Sequence, residues 1–183
     1  MLIALIIIIL LVIYIIATYN GLVSSRQKVK NSWSQMDVQL QRRFDLIPNF
    51  VETVKGYMTH ESETFSKIAE LRTSWAKAGT VSEKAELNNQ LSSALKTIMA
   101  VSENYPDLKA NQGFINLQNE LQNTEDKISF SRQFYNDSAT MYNTKLEMFP
   151  SNIIAGMFNF SAEPLFEAES EEARKNVKVD FNK

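Results

Sequence analysis

The chain opens with an unbroken apolar run, and afterwards its apolar positions recur at helical spacing. Residues 2–17 are apolar throughout, with Tyr14 as the one hydroxyl-bearing side chain. At a rise of 1.5 Å per residue, this run spans about 24 Å of helix, and extension to Val23 reaches the roughly 30 Å of a bilayer core. The pattern predicts a transmembrane anchor over residues 1–23, in contact with the lipid bilayer.

A cleaved signal peptide is the competing interpretation of the apolar run. A signal peptide needs basic residues before the run and small residues before the cleavage point. No Lys or Arg precedes the run, and the tripeptide ending at Thr18 is not a small-x-small site. We therefore expect a permanent anchor.

The charges beside the anchor predict its orientation. Arg26, Lys28 and Lys30 follow the apolar run closely, and Arg42 and Arg43 come next. Basic residues stay on the cytoplasmic side of most membrane proteins. We expect a single-pass protein of the cell membrane whose remaining residues form a cytoplasmic domain.

A long apolar stripe follows the anchor and predicts a helix that ends near Ala78. Its members alternate by threes and fours, which places them on one helix face. The first row is Trp33, Leu40, Ile47, Val54, Glu61, Ile68 and Trp75, and the second is Phe44, Val51, Met58, Phe65 and Arg72.

Pro48 lies inside this first helix and leaves two alternatives open. Proline removes one helical hydrogen bond and clashes with the carbonyl of the residue four positions back, Phe44. The apolar spacing passes through Pro48 unshifted, which favours one kinked helix. Asp45 could instead cap a new helix, in whose first turn proline is tolerated.

Signals at residues 79–83 mark the next boundary. Gly79 suits a left-handed helix end, and Thr80 with Glu83 matches a capping box. The following helix is expected to reach Asn104, before a turn at Tyr105-Pro106-Asp107.

The longest regular pattern predicts a last helix over residues 111–148. Its inner face becomes smaller and more polar after Ile128, so we expect closer or wetter packing there. The members of this face are Phe114, Leu117, Leu121, Thr124, Ile128, Ser131, Tyr135, Ser138, Tyr142, Lys145 and Phe149.

The segment after Pro150 predicts a short amphipathic helix capped by Ser151. Its apolar residues are candidate contacts with the membrane interface, although the segment can equally fold back onto the bundle. These candidates are Ile153, Ile154, Met157, Phe158 and Phe160.

The predicted fold is therefore all-α, with an N-terminal transmembrane helix followed by a long antiparallel four-helix bundle, whose first two helices are one kinked helix in the alternative at Pro48. The domains are an anchor at 1–23, a bundle at 24–150, an amphipathic segment at 151–166 and a charged tail at 167–183. We expect the tail to be disordered, because it is charged and poor in large apolar residues.

Composition excludes several functional classes. The net charge of -2 disfavours a nucleic-acid partner. The absence of cysteine excludes disulfides, thiolate metal sites and a cysteine nucleophile. The sequence contains no serine-hydrolase elbow, phosphate-binding glycine loop or HExxH motif. We expect no enzymatic activity, no cofactor and no metal site.

Two groups of polar residues remain candidates for binding. Arg42, Arg43 and Asp45 form the densest charged cluster, which predicts either an anion or partner contact or an interhelical ion pair. His60, the only histidine, could join Glu61 and Glu63 at a metal, but the three do not share a helix face, and a capping or surface role is favoured.

Tyr135-Asn136 and Tyr142-Asn143 repeat at seven residues. This spacing predicts a polar layer that sets helix register, with a ligand pocket as the alternative.

Long motifs make the chain resemble the LemA family. The resemblance implies a single-pass bacterial membrane protein with a four-helix, bromodomain-like bundle, a helix break at Pro48 and no catalytic assignment. The matching segments are Tyr19–Val23, Trp33–Tyr57, His60–Glu61, Glu103–Asn111, Leu117–Glu125, Tyr135–Asn136, Tyr142–Asn143 and Phe149–Pro150.

These observations predict a non-enzymatic, membrane-anchored bundle that docks a protein partner or organises the membrane. A membrane-associated sensor or regulator that responds to lipid or a small ligand is the alternative. Ala17 and Gly21 form a weak small-xxx-small pair, so a homo-oligomer is also compatible with the sequence.

Overall fold

The computed structural model describes residues 1–58 and 61–167. Within these ranges the chain forms six helices and no strand, which confirms the predicted all-α fold with a long apolar helix at its start. The helices are α1 (Leu2–Lys55), α2 (Ser62–Trp75), α3 (Val81–Ser102), α4 (Pro106–Lys109), α5 (Gln112–Glu147) and α6 (Ser151–Met157).

The described residues belong to two compact units. Unit 1 contains Met1–Arg42 and Asn123–Leu165, and therefore the start of α1, most of α5, and α6. Unit 2 contains Arg43–Gln122 together with Phe166 and Glu167. His60 and residues 168–183 lie outside the described residues, so the predictions for His60 and for the tail stay untested.

Helix α1 continues through Pro48, so the break implied by the resemblance is wrong. A proline inside a helix costs about 3 kcal/mol. Burial of a large apolar side chain contributes about 1.5–3 kcal/mol, and four such side chains around Pro48 are no more than 2% exposed, namely Phe44, Ile47, Phe50 and Val54. Packing therefore outweighs the proline penalty, and Asp45 lies within the helix instead of capping a new one.

The first helix ends earlier than the apolar stripe predicted. It stops at Lys55, and the amides of Tyr57 and Met58 both donate to the Val54 carbonyl at 3.0 Å. Gly56 follows the last helical residue, where its high backbone entropy disfavours a further turn. The apolar spacing resumes in α2, so one stripe in the sequence belongs to two helices.

The boundary between α2 and α3 confirms one cap and corrects another. The Thr80 hydroxyl accepts from the Glu83 amide at 3.2 Å, and the Glu83 carboxylate accepts from the Thr80 amide at 3.0 Å. Gly79 does not adopt a positive φ, so it is not the predicted left-handed helix end. Its amide instead donates to Glu83 at 2.9 Å. These amide bonds lower the pKa of Glu83.

Aromatic pairs and polar links join the elements of unit 2. The ring of Phe44 stacks on Trp75 with centroids 4.1 Å apart, which connects the end of α1 with α2. The hydroxyl of Tyr105 donates to Glu61 at 3.1 Å. Residues 106–109 form the short helix α4 where the sequence predicted only a turn.

In unit 1, α1 and α5 run antiparallel. Ser32 and Ser138 share a hydrogen bond of 3.0 Å, and Lys145 donates to Ser25 at 2.7 Å. A step of seven residues back along α1 is thus matched by seven residues forward along α5. Small serine side chains at these contacts allow a close approach, as the small, polar inner face of α5 predicted.

The predicted inner face of α5 holds only as far as Tyr142. Tyr135, Ser138 and Tyr142 are buried. Lys145 is exposed, and Phe149 is 78% exposed, so the prediction that they belong to the inner face is wrong. The face turns to Leu146, which is half-buried against Leu22 and α6.

Candidate membrane-proximal site

The first turns of α1 present only apolar side chains to their surroundings. From Leu2 to Ile16 almost every side chain is exposed, and the segment is long and apolar enough to cross a membrane. Exposed apolar surface of this extent is unfavourable in water, at about 25 cal/mol for each Å². This helix could therefore span a membrane.

Helix α6 packs against α1 at the end of the apolar run. Leu22, Ile154 and Ala155 form a buried cluster, and the half-buried Ile15 and Leu146 pack on it. The spacing of Ile15 and Leu22 places both on one face of α1. The segment after α5 therefore returns to the level at which the apolar run of α1 ends.

The end of α6 is a Schellman motif. The amide of Phe160 donates to Ala155 at 3.0 Å, and the amide of Asn159 donates to Gly156 at 3.3 Å. Asn159 has a φ of 54°, in the left-handed region that Asn tolerates better than most residues. The accompanying apolar contact is present, because Phe160 packs on the cluster that contains Ala155.

Three aromatic rings from two distant segments meet beside this cluster. The Tyr19 ring centroid lies 4.8 Å from that of Phe158 and 5.7 Å from that of Phe160. The guanidinium carbon of Arg26 lies 5.0 Å from the Phe160 centroid. Each aromatic–aromatic pair of this kind contributes about 0.5–1.5 kcal/mol to stability beyond its buried area. We call Tyr19, Phe158 and Phe160 the exit rings.

A small groove with two lysines lies about two turns beyond Tyr19 along α1. Its volume is about 290 Å³, and its wall includes Ser25, Lys28, Met141, Lys145 and Met148. Lys145 donates to Ser25 within this wall. The groove is an apolar depression with cationic groups, which suits an amphiphilic anion better than a neutral polar molecule.

A non-helical segment at residues 163–164, here called the strap, is held on α5 by hydrogen bonds from side chains of that helix. The Asn143 amide group donates to the Glu163 carbonyl at 2.9 Å, and its oxygen accepts from the Glu163 amide at 2.9 Å. The Tyr135 hydroxyl donates to the Pro164 carbonyl at 2.6 Å. Tyr135 and Asn143, two members of the predicted polar layer, therefore hold backbone groups of residues 163–164, while the ligand pocket stays an untested alternative.

The two buried tyrosines of this layer titrate above the usual range. Burial, with a smaller effect of the Glu163 charge, raises the pKa of Tyr135 to about 12. Burial also raises the pKa of Tyr142, against a lowering effect of Arg26. Both phenols are therefore neutral at physiological pH, and the Tyr135 hydroxyl is the one that donates to the Pro164 carbonyl.

One face of α5 in unit 1 exposes a separate apolar stripe. Phe130 is 75% exposed, Phe134 57%, Met141 60% and Met148 57%. At about 100° per residue these positions fall within roughly 40° of one another. We call these four residues the α5 stripe; sequence periodicity missed it, because the pattern was assigned to the buried face alone.

The predicted charged cluster divides by burial. Arg43 is 3% exposed and donates from Nη1 to the Asn88 oxygen at 2.9 Å. Arg42 and Asp45 are exposed residues of α1. Burial of Arg43 favours a structural role for that side chain, while an anion or partner contact at Arg42 and Asp45 stays a prediction.

The predicted membrane-contact residues also divide by burial. Ile154 is buried in the α6 cluster, and Phe160 is half-buried. Ile153, Met157 and Phe158 are 54%, 64% and 49% exposed. One face of α6 has thus folded back while the other remains open. Ser151 does not cap α6 but donates to the Lys145 and Met148 carbonyls at 2.7 and 2.8 Å.

Comparison with known proteins places the chain among bacterial relatives. The LemA family model matches residues 32–181. Protein LemA of Metamycoplasma hominis is 27% identical over 150 residues, which cover 81% of this chain and 68% of that protein.

Two further relatives are magnetosome proteins. MamQ 2 of Paramagnetospirillum magneticum is 25% identical, with 81% of this chain and 64% of its own length covered. MamQ of Magnetospirillum gryphiswaldense is 23% identical, with 78% and 62% covered. The chain therefore spans less than two thirds of the length of each of these two relatives.

Proposed function

Because this chain belongs to the LemA family, whose model matches residues 32–181, we propose that it is a membrane-anchored, non-enzymatic bundle that docks a protein partner at the bilayer surface. The α5 stripe is the observation that carries the proposal. A row of four large apolar side chains on one helix face is typical of a helix-recognition surface.

The anchor supports docking because it concentrates the stripe at a surface. Residues of α1 from Leu22 to Arg42 belong to unit 1, and the same helix begins in the apolar segment at Leu2. A tether of this kind raises the effective concentration of two membrane-bound partners, so the contact itself can be weak.

We place the bundle on the cytoplasmic side of a single-pass cell-membrane protein. Arg26, Lys28 and Lys30 follow the apolar segment. Basic residues that flank a transmembrane helix favour the cytoplasmic side of the membrane. The chain contains no cysteine, so a single Val38→Cys substitution creates the sole thiol. A membrane-impermeant maleimide should label this thiol only after the cells are opened. Labelling of intact cells would reverse the orientation.

The docking surface is tested by crosslinking from inside the stripe. A benzophenone-maleimide at Phe134→Cys should capture one protein repeatedly in intact cells, identified by mass spectrometry. The matched control is Thr140→Cys, an exposed position on the same helix about 100° away from Met141. Capture from both positions at equal yield would contradict a specific stripe.

A second variant separates docking from collision. Phe130→Ser in the Phe134→Cys background should lower the yield of the captured protein at equal expression, because it removes one apolar contact of about 1.5–3 kcal/mol. Capture of a second copy of the chain would identify a homo-oligomer as the partner. Recovery of lipid alone would contradict docking and favour a lipid-responsive regulator.

A further inference from the structure

We propose that α6 is an interfacial foot, which inserts Ile153, Met157 and Phe158 into the boundary between lipid headgroups and acyl chains. This inference rests on the proposed anchoring of α1, and it adds a second contact between the protein and the bilayer. The chemistry recognised is the apolar surface of a lipid leaflet beneath its headgroups.

The depth of α6 follows from the residues it touches. Ile15 lies about 20 Å along α1 from Leu2, and Leu22 about 30 Å, the thickness of the hydrocarbon core. Both residues pack in the cluster that contains Ile154 and Ala155. A helix seated on these positions lies at the edge of the bilayer and has lipid as its neighbour on the open side.

The outward face of α6 matches this environment. Ile153 and Met157 are four residues apart and therefore lie on the same helix face, and both are more than half exposed. The opposite face, with Ile154 and Ala155, is buried against the anchor. An amphipathic helix at a bilayer surface lies in the plane of the interface with its apolar face toward the acyl chains.

Tyr19, the exit ring that belongs to α1, marks the same level independently of α6. Tyr and Trp concentrate at membrane interfaces, where a ring is apolar and its polar group reaches water. Tyr19 lies in the proposed anchor, and its ring contacts the rings of Phe158 and Phe160, which are distant from it in sequence. Arg26, seated on Phe160, then lies at headgroup depth, where a cation is favoured beside lipid phosphate.

A second contact with the leaflet would restrict how unit 1 can rotate and tilt relative to the bilayer. Two contacts with the leaflet, at α1 and at α6, restrict tilt in the direction that joins them. The α5 stripe would then face a defined direction above the membrane.

Spin-label accessibility in vesicles measures the depth of each residue directly. The full chain is reconstituted in phosphatidylcholine–phosphatidylglycerol vesicles, with one nitroxide on Ile153→Cys or on Met157→Cys. No native thiol competes with the label. Collision with oxygen, which prefers lipid, is compared with collision with a water-soluble nickel chelate.

Two reference positions calibrate the measurement. Ile8→Cys lies in the anchor and should show the lipid value. Val38→Cys is a matched exposed apolar position about 24 Å beyond Leu22 on the same helix, and it should show the aqueous value. We expect labels at 153 and 157 to shift from the Val38 ratio toward the Ile8 ratio.

The outcomes separate the foot from the anchor. Aqueous values at 153 and 157 with a lipid value at Ile8 would overturn the foot and leave the anchor in place. An aqueous value at Ile8 would overturn the anchor itself. Protection of 153 and 157 from both reagents would also overturn the foot, because protein rather than lipid would then cover α6.

Discussion

Asn143 holds the backbone of Glu163 from both sides, because its side-chain amide donates to the Glu163 carbonyl and its oxygen accepts from the Glu163 amide, each at 2.9 Å. One side chain thereby satisfies both hydrogen-bonding groups of a residue that lies twenty positions away. The strap at residues 163–164 consequently has a fixed position on α5 without belonging to a helix.

Removing this side chain should loosen the strap. Asn143→Ala deletes two hydrogen bonds, which contribute roughly 0.5–1.5 kcal/mol each. We expect the free energy of unfolding to fall by about 1–3 kcal/mol and the Glu163 amide to exchange hydrogen faster. Asn123→Ala, on the exposed surface of the same helix, is the control. Unchanged exchange at Glu163 in Asn143→Ala would show that the strap is held by other contacts.

Tyr135 should make stability depend on pH in the alkaline range. Its pKa is raised from 10 to about 12 in the folded protein. The unfolded chain therefore loses the proton first, so the stabilisation is complete below pH 10 and declines as the pH rises to about 12. Denaturant titrations across this range measure the decline.

The control for this prediction is the Tyr135→Phe variant, which lacks the hydroxyl. Tyr135→Phe lacks both the titrating group and the bond to Pro164, so its deficit relative to the native protein should shrink as the pH rises. A deficit that stays constant between pH 10 and 12 would contradict the raised pKa.

Asn159 should be replaceable by glycine but not by a β-branched residue. Its φ of 54° is in the left-handed region, which costs most residues with a Cβ about 1–2 kcal/mol. Asn159→Gly should leave the stability within about 1 kcal/mol of the native value, whereas Asn159→Val should lower it by about 1–2 kcal/mol or more. Thermal unfolding in detergent compares the two; equal melting temperatures would argue against the Schellman end of α6.

Truncation of the two adjacent arginines should lower stability to different extents. Arg43→Ala removes a buried donor from Asn88 and leaves a polar group without its partner, which costs about 1–3 kcal/mol. Arg42 is exposed, so Arg42→Ala should change the stability by no more than about 0.5 kcal/mol. Denaturant midpoints measure both. A larger loss for Arg42→Ala would show that it is the structural member of the pair.

The sequence predicted the features that arise from neighbouring residues. The apolar run from Leu2 identified a helix able to span a membrane, because hydropathy is a property of each side chain. The Thr80–Glu83 capping box was confirmed atom by atom, because its donors and acceptors lie three residues apart. Periodicity located α3 and α5 to within a few residues for the same reason.

Tertiary contacts decided the features that depend on distant residues. Local rules left Pro48 open, and burial of the side chains around it made the helix continuous. The family resemblance led to the opposite expectation there. A charged pair at positions 42 and 43 looked uniform in sequence, yet the direction of each side chain on α1 buried one and exposed the other.

The membrane-proximal site shows the same division most clearly. The apolar residues at positions 153–160 were compatible with either burial or lipid contact. Their partners, Ile15, Tyr19 and Leu22, lie more than one hundred residues earlier in the chain. Side-chain character sets which surfaces leave water, but only the folded chain determines which of those surfaces meet each other and which remain open, because burial is a property of a pair of surfaces.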